Sequence, residues 1–189
     1  MNMVIEATGN TDGVLVRSSL ESDLAPITEI YRYYVLHTSS TFETEAPDVA
    51  EMARRRLAVV ERGLPHLVAE IDGRVEGYAY AGPYRPRGAY RFTVEDSIYV
   101  RPTCVGKGIG RALMAALIDW CEREGYRQMI AVIGGADNSA SIALHEKFGF
   151  RRAGRLTSAG WKFGRWHDSV LMQRALGEGD GTAAEGTRY

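Results

Sequence analysis

The sequence predicts a mixed α/β fold, and three observations support this prediction. Short β-branched and aromatic runs alternate, over the 189 residues, with segments whose apolar residues recur at helical spacing. The dipeptide Asp72-Gly73 separates two alternating runs, which is a strong signal of a hairpin between antiparallel strands. Residues 94–113 join a β-type run, a turn with three alternate glycines and an apolar helical pattern. A strand therefore leads through a glycine-rich loop into a helix.

The first third of the chain predicts one strand, two helices and the loop between them. Residues 13–18 alternate as a strand, and residues 21–36 carry an apolar stripe at helical spacing. The polar residues 38–45 predict a loop over a site. Residues 47–62 predict a second, charged helix, which Gly63 ends.

The rest of the chain continues the alternation of strands and helices. The further predicted strands are residues 66–71, 74–81, 90–100, 128–133, 150–163 and 168–174. The further predicted helices are residues 106–124 and 138–148, the second capped by Asp137 or Asn138 and closed by Gly149. Residues 83–88 predict a basic loop broken by prolines. This order implies a mixed sheet with helices on both faces.

Length and composition predict one domain at residues 13–176, with a loose leader at 1–12 and a disordered tail at 177–189. A net charge of −1 argues against a general nucleic-acid binder, because no basic stripe is present to release counterions. The chain shows neither an apolar run of membrane-spanning length nor a signal-peptide pattern. We therefore expect a cytoplasmic protein that contacts neither nucleic acid nor membrane. The two cysteines, Cys104 and Cys121, do not suggest a disulfide framework.

The glycine-rich loop favours phosphate binding. Gly106, Gly108 and Gly110 let the backbone approach an anion closely, and the first helical turn has about four N–H groups without intrahelical partners. Lys107 and Arg111 add positive charge. The Walker loop and the dinucleotide fingerprint fit poorly, since no hydroxyl residue follows Lys107 and the glycine spacing differs. The residues alone leave open a strand–helix connection with incidental glycines.

Two side chains are candidates for acid–base chemistry. Glu95 lies among apolar strand residues just before the loop, and such surroundings raise the pKa of a carboxyl towards neutrality, as suits a general base. A solvated glutamate on the strand face remains open, and the adjacent Asp96 could equally be such a solvated carboxylate. His145 on the later helix is either a packed histidine or a functional one. His37, His66 and His167 have no metal-like spacing, so a zinc site is not expected.

The loop at residues 83–90 presents two arginines between two tyrosines. The guanidinium groups of Arg85 and Arg87 match carboxylates and phosphinates bidentately, and Tyr84 and Tyr90 flank them. This pattern predicts an anion-recognition site or, alternatively, a solvated charge cluster.

Several segments together resemble the GNAT superfamily of N-acetyltransferases. Residues 105–110 read V-G-K-G-I-G, where the superfamily has Arg or Gln, two residues, Gly, one residue and Gly or Ala. The match extends over residues 14–176 and is nearest to the phosphinothricin and methionine sulfoximine/sulfone acetyltransferases. The matching segments are Y-R-Y-Y-V-L-H-T-S-S-T-F-E-T-E, G-Y-A-Y-A-G-P-Y-R-P-R-G-A-Y, T-V-E-D-S-I-Y-V, I-A-V-I-G-G-A-D-N-S-A-S-I-A-L-H-E-K-F-G-F and W-K-F-G-R-W-H-D-S-V-L-M-Q-R.

The resemblance implies a mostly antiparallel, splayed central sheet flanked by helices, and it implies roles for particular residues. Glu95 matches the catalytic glutamate, and His145 matches the general-acid position. The implied cofactor-binding residues are Ile98, Tyr99, Val100, Val105, Gly106, Lys107, Gly108, Ile109, Gly110, Arg111 and Asn138. The implied substrate-facing residues are Phe42, Arg85, Arg87 and Tyr90. Val105 departs from the usual Arg or Gln, but that position contributes mainly its backbone N–H, so we expect cofactor binding to survive.

The resemblance also implies an activity. We expect an N-acetyltransferase that uses acetyl-CoA as co-substrate, without a metal, and acetylates the α-amine of a phosphinothricin, methionine sulfoximine or methionine sulfone type analogue, with a role in antibiotic or herbicide resistance. The sequence does not rank these three substrates. Peptide or protein N-acetylation is the alternative, and a non-catalytic acyl-CoA-binding module is disfavoured because Glu95 is present. A homodimer is expected from the resemblance.

Overall fold

The computed structural model describes residues 8–11 and 13–184, with side chains described from residue 13 onward. The strands are β1 (Thr8–Thr11), β2 (Val14–Ser18), β3 (His66–Ile71), β4 (Arg74–Pro83), β5 (Thr93–Val100), β6 (Gln128–Gly134), β7 (Arg151–Lys162) and β8 (Arg165–Ala175). The helices are α1 (Leu24–His37), α2 (Val49–Val60), α3 (Ile109–Arg123) and α4 (Ser139–Lys147). The mixed α/β class that the sequence predicts is confirmed.

The chain divides into two compact units. The first unit comprises Met1–Arg32, Pro47–Gly82 and Ser97–Trp120. The second unit comprises Tyr33–Ala46, Pro83–Asp96 and Cys121–Tyr189. The boundary falls within β5, so the first four residues of this strand belong to the second unit and the last four to the first.

In the first unit the strands follow the order β1, β2, β3, β4 and the second half of β5. The β1–β2, β2–β3 and β3–β4 pairs are antiparallel. The predicted hairpin is confirmed, because Asp72 and Gly73 both have positive φ angles, 50° and 73°, as a type I′ turn requires. The largest fully buried side chains of this unit are Val14, Ile27, Ile30, Leu67, Tyr78, Ile109, Leu113, Met114 and Leu117.

In the second unit the order is the first half of β5, then β6, β8 and β7. The β5–β6 pair is parallel, with a register that runs from Thr93–Gln128 to Glu95–Ile130. The β6–β8 and β7–β8 pairs are antiparallel, so the pairing of the described strands is mostly antiparallel, as expected. The fully buried Met129, Met172 and Leu176 belong to its core.

Of the element boundaries that differ from the prediction, three have clear local reasons. β5 begins at Thr93 rather than at residue 90, because Gly88–Tyr90 form a 3₁₀ turn. α3 begins at Ile109 rather than at residue 106, since Gly106 and Gly108 have φ angles of 86° and 83°, which a right-handed helix excludes. β8 begins at residue 165 rather than at 168, because a tight turn over residues 163–164 closes the last hairpin.

The predicted leader and tail lie partly outside the described residues. Residues 1–7, 12 and 185–189 fall outside them, whereas residues 8–11 form β1 against β2. Residues 177–184 lie against Arg127, whose guanidinium donates hydrogen bonds to the carbonyl oxygens of Gly179 at 3.4 Å and Ala183 at 3.1 Å. The predicted domain boundaries remain a prediction. None of the described helices is long and apolar enough to cross a membrane.

Candidate active site

The glycine-rich loop of the first unit has the backbone geometry of an anion site. A β-carbon placed on Gly106 or Gly108 would meet no heavy atom within 4 Å, so the space beside this backbone is open. The first helical hydrogen bond of α3 runs from Ala112 N to Gly108 O at 3.0 Å. The amides of Ile109 and Gly110 therefore precede the first intrahelical donor and are available to a ligand. A pyrophosphate fits these features.

The start of α3 is fixed by a close approach to β4 at Gly77. A β-carbon at Gly77 would lie 2.7 Å from Ile109 Cγ2 and 3.1 Å from Leu113 Cδ1. Both of these α3 side chains are fully buried. Only glycine at this point of β4 allows α3 to pack at this distance, and so glycine determines where the loop ends.

The other loop side chains are exposed. Lys107 Nζ lies 3.9 Å from Cys104 Sγ, and Arg111 projects from the first turn of α3. Val105 is 59% exposed, and its amide donates a long hydrogen bond of 3.5 Å to Pro102 O. The structure therefore places the Val105 amide inside the 3₁₀ turn at Pro102–Cys104.

The second half of β5 carries three of the predicted cofactor-binding residues, Ile98, Tyr99 and Val100, all of them half-buried. The Tyr99 ring meets Tyr31 edge-on, with ring centroids 5.0 Å apart, and stacks on Tyr78 at 5.2 Å. These aromatic contacts hold this part of the strand within the first unit.

In the second unit, Glu95 is half-buried on the first half of β5. Burial raises the pKa of the Glu95 carboxyl above its ordinary value, and the negative charge of the adjacent Asp96 raises it further. Such a carboxyl takes up a proton more readily than a solvated glutamate. The expectation of apolar surroundings for Glu95 agrees with this environment.

Asp96, the residue next to Glu95, is buried and paired. Only 7% of Asp96 is exposed, and its Oδ2 lies 3.0 Å from Nε2 of His145. Successive side chains of a strand point to opposite faces. Asp96 therefore lies on the same face as the buried Val94, and Glu95 lies on the other face. The solvated alternative is therefore excluded for Asp96.

His145 is 4% exposed, and both of its ring nitrogens have partners. Nδ1 lies 2.7 Å from the carbonyl oxygen of Ser141, and Nε2 faces Asp96. The ring also meets Phe150 edge-on, with centroids 4.9 Å apart. Burial by itself lowers the pKa of His145, but the hydrogen bond to Asp96 and its charge outweigh burial and raise the pKa above the ordinary value.

Asn138 is the N-terminal cap of α4, one of the two caps that the sequence predicts. Its Oδ1 accepts a hydrogen bond from Ser141 N at 3.3 Å, as a cap requires. Its Nδ2 donates to Ser40 Oγ at 3.2 Å. Both polar atoms of the Asn138 side chain thus hold the loop at residues 38–45 to the start of α4.

Lys162 is a buried residue of this loop's surroundings that sequence reasoning missed. Its Nζ donates hydrogen bonds of 2.8 Å to the carbonyl oxygens of Thr38 and Thr41, and the residue is 4% exposed. The segment W-K-F-G-R-W-H-D, which carries part of the family resemblance, was the signal that could have singled it out. Phe42, on the same loop, lies directly over Gly160 of β7.

The arginine loop keeps its aromatic framework. The rings of Tyr84 and Tyr90 meet edge-on at 5.5 Å, and the Arg85 guanidinium lies 5.2 Å from the centre of the Tyr84 ring. Arg85 and Arg87 are exposed. Within the described residues these four side chains make no hydrogen bond or ring contact to Glu95.

Three of the predicted site residues thus make contacts near the site. His145 contacts Asp96, which is adjacent to Glu95; Asn138 contacts the loop at residues 38–45; and Phe42 contacts β7. Each of these contacts lies within the second unit. No cluster of three or more His, Cys, Asp or Glu side chains suited to a metal ion occurs in residues 13–184.

Comparisons with known proteins agree with this fold. The acetyltransferase (GNAT) family model matches residues 27–150. A phosphinothricin N-acetyltransferase of Alcaligenes faecalis is 51% identical over 170 residues, which are 90% of this chain and 86% of the relative. An L-methionine sulfoximine/L-methionine sulfone acetyltransferase of Salmonella typhimurium is 42% identical over 167 residues, which are 86% of this chain and 95% of the relative.

A solved structure is similar over nearly the whole chain. It is a phosphinothricin acetyltransferase from Sinorhizobium meliloti in complex with acetyl-CoA, with a TM-score of 0.90 and 49% identity over 94% of this chain and 96% of that chain. The fold and these similarities define an N-acetyltransferase. The chain belongs to the acetyltransferase (GNAT) family.

Proposed function

We propose that this N-acetyltransferase transfers the acetyl group of acetyl-CoA to the α-amine of a small amino-acid analogue of the phosphinothricin, methionine sulfoximine or methionine sulfone type. The observation that carries the proposal is the half-buried Glu95, whose carboxyl has a raised pKa. The next residue, Asp96, is paired with the ring of the buried His145. A general base whose sequence neighbour is paired with a histidine suits acyl transfer to an amine. The substrates named for the two curated relatives support the choice of amine.

The glycine-rich loop supplies the cofactor-binding half of the proposal. The backbone amides of Gly106, Gly108, Ile109 and Gly110 bind the pyrophosphate of acetyl-CoA, and the side chains of Lys107 and Arg111 add charge. The amides of Val105 and Lys107 already donate to Pro102 O and Cys104 O, so these two residues shape the turn before the loop instead. The backbone of Ile98, Tyr99 and Val100 pairs with the pantetheine arm. Asn138 contributes to cofactor binding indirectly, because as the N-terminal cap it fixes the start of α4.

The chemistry requires a base, an oxyanion donor and an acid. Glu95 takes one proton from the substrate α-ammonium, and the amine then attacks the thioester carbonyl carbon. A strand N–H near Ile98 stabilises the negative charge on the carbonyl oxygen. As the new C–N bond forms and the C–S bond breaks, the nitrogen loses its second proton to solvent and the sulfur gains one from His145. One proton is released overall.

The arginine loop recognises the anionic groups of the substrate, which are the α-carboxylate of all three analogues and the phosphinate of phosphinothricin. Arg85 and Arg87 are exposed guanidinium groups and match a phosphinate or carboxylate bidentately. Tyr90, and Phe42 on the loop that Lys162 and Asn138 hold, form walls for the aliphatic part of the substrate. Because these walls are fixed by hydrogen bonds, we expect a small substrate to be favoured over a peptide.

A thiol-release assay with acetyl-CoA tests the proposal. The panel contains phosphinothricin, methionine sulfoximine, methionine sulfone, unmodified amino acids and a peptide. We expect release with at least one oxidised analogue, and a loss of about 10²–10⁴-fold in Glu95→Gln. Glu61→Gln, an exposed glutamate at the end of α2, is the matched control and retains activity.

Two other results would redirect the assignment. Release with the peptide alone would indicate peptide N-acetylation instead. Full activity of Glu95→Gln between pH 6 and 9 would remove Glu95 from the role of base.

We further propose that the chain forms a homodimer through the tip of the β7–β8 hairpin. Trp161, Phe163 and Trp166 are 57%, 56% and 61% exposed there, an unusual concentration of exposed aromatic surface. Light scattering after size exclusion should give a dimer for the native chain and a monomer for Trp161→Ser/Trp166→Ser. Leu57→Ser, at an equally exposed apolar residue of α2, is the control that stays dimeric.

A cytoplasmic location and a role in resistance belong to the same proposal. Cys104 is buried and forms no disulfide within the described residues, as is usual in a reducing compartment. Acetylation removes the positive charge of the α-amine, and in the proposed role this loss of charge makes the toxic analogue harmless. Cells that express the chain should therefore grow on phosphinothricin or methionine sulfoximine, whereas cells that express Glu95→Gln should not.

A further inference from the structure

The pairing of Asp96 with His145 has a consequence that follows atom by atom. Ser141 O is a backbone carbonyl and can only accept a hydrogen bond, so Nδ1 of His145 carries a proton. If Asp96 is a carboxylate, it too can only accept, so Nε2 also carries a proton. The ring is then an imidazolium, oriented at both nitrogens.

Asp96 has no other group to balance its charge among the described residues. Its second oxygen, Oδ1, is buried without a hydrogen-bond partner there. An ionised carboxylate that is buried in this way is costly unless a cation is adjacent. His145 is that cation, and the pair has no net charge.

We infer that Asp96 is a positioning residue of the acetyl-transfer step, which fixes the His145 ring and holds it as an imidazolium with its transferable proton on Nε2. This inference rests on the proposed function, because a proton donor is needed only where a thiolate departs. The Nδ1 proton stays on the ring, in its hydrogen bond to Ser141 O, and the sulfur receives the Nε2 proton. His145 then becomes neutral and regains a proton from solvent.

Other charged groups near the pair do not replace Asp96. On α4, Glu146 lies 3.5 Å from Arg152, and both of these side chains are exposed, as is Lys147. On β8, the Arg174 guanidinium donates to Phe148 O and to Glu122. On β5, Glu95 is the remaining carboxyl.

The direct test is the protonation state of the ring in the native chain. Nitrogen-15 spectra of labelled protein should show His145 protonated on both nitrogens at pH 7.5, with its signals identified by their absence in His145→Gln. His66 is an internal reference, since burial lowers its pKa to about 4 and it stays neutral at this pH. A neutral His145 ring, protonated on Nδ1 alone, would overturn the inference whether or not any variant folds.

The matched variant is Asp96→Asn, which keeps the size of the side chain and removes its charge. The asparagine amide can donate to an unprotonated Nε2, so the ring keeps its orientation but has no proton to give there. We expect kcat to fall by roughly 10- to 100-fold, at or below the lower end of the range of about 10²–10⁴-fold that a positioned acid contributes as a whole. Asp72→Asn, in the exposed β3–β4 turn, removes a charge without affecting kcat.

The pH profile separates positioning from a merely structural role. Activity requires ionised Glu95 and protonated His145, so it rises with pH and then falls. Asp96 raises the pKa of both groups, and its removal should move both limbs of the profile to lower pH. A profile that only loses height, with both limbs unmoved, would contradict the inference.

A double-mutant cycle completes the test. If Asp96 acts through His145, Asp96→Asn should cost little further activity in a His145→Gln background. Additive losses would overturn the inference. An enzyme that acetylates none of the amines would instead disprove the proposed function, and the nitrogen-15 spectrum would still decide the state of the pair.

Discussion

The substitution Gly160→Ala tests whether Phe42 is held in place by the strand beneath it. A β-carbon at Gly160 would lie 2.4 Å from Phe42 Cδ2 and 2.5 Å from Cε2. Carbon atoms in ordinary contact are about 3.5–4.0 Å apart, so the ring must move by roughly 1 Å. The loop gives little room for this movement, because Lys162 holds Thr41 O and Asn138 holds Ser40 Oγ.

Overpacking of this kind costs about 1–3 kcal/mol. At about 2–4 °C per kcal/mol for a chain of this size, Tm should fall by roughly 2–12 °C. Since Phe42 is a proposed substrate wall, KM for the amine should rise while KM for acetyl-CoA stays constant. Thermal unfolding and initial rates at varied amine concentration measure both effects.

Gly154→Ala is the matched control on the same strand. There a β-carbon meets only Leu171 Cδ1 at 3.9 Å, an ordinary contact. Equal Tm and equal amine KM in the Gly160→Ala and Gly154→Ala proteins would refute the reasoning.

Three further predictions concern Lys162, Glu95 and Asp23. Lys162→Met should lower the unfolding free energy by about 2–4 kcal/mol, because two loop carbonyls lose their donor; denaturant unfolding measures this, with the exposed Lys147→Met as control. Burial raises the pKa of Glu95, so kcat/KM should rise with pH through a limb above the ordinary glutamate value of about 4.3, and a limb at or below that value would contradict the burial. Burial by itself raises the pKa of Asp23, but hydrogen bonds from Arg17 and a backbone amide outweigh it and hold the pKa low. The stability that this pair contributes is present above about pH 4 and lost as the pH falls through the folded-state pKa, so Asp23→Asn should flatten the acid decline of the unfolding free energy.

The sequence predicts the elements of this fold well where a local pattern determines them. Asp72-Gly73 predicts the β3–β4 turn, because both residues must have positive φ. The start of α3 is predicted three residues early, since the same glycines that suit an anion site exclude the helix. β1 lies within the predicted leader: its four residues, T-G-N-T, carry no apolar alternation, and they form a strand by pairing with β2.

The site is predicted less completely, because its contacts are distant in sequence. Lys162 Nζ donates to the carbonyl oxygens of Thr38 and Thr41, which are 124 and 121 residues away in the sequence, and no local sequence pattern predicts contacts of this kind. Glu95 and His145 are identified by the family resemblance. The state of Asp96 depends on a partner 49 residues further on, which the alternation of β5 does not reveal.

The charges of the second unit indicate what the substrate must bring to it. Asp96 is balanced by His145, so this carboxylate is not available to a second cation. The Glu95 carboxyl, in contrast, makes no hydrogen bond or ion pair within the described residues, and its burial disfavours the ionised form. In the proposed reaction, the α-ammonium group of the substrate would supply the missing positive charge. On binding it would favour the ionised form of Glu95, and it would then give that carboxylate a proton. Substrate binding and base activation thus depend on the same charge, and an uncharged amide analogue of the substrate should bind weakly for that reason.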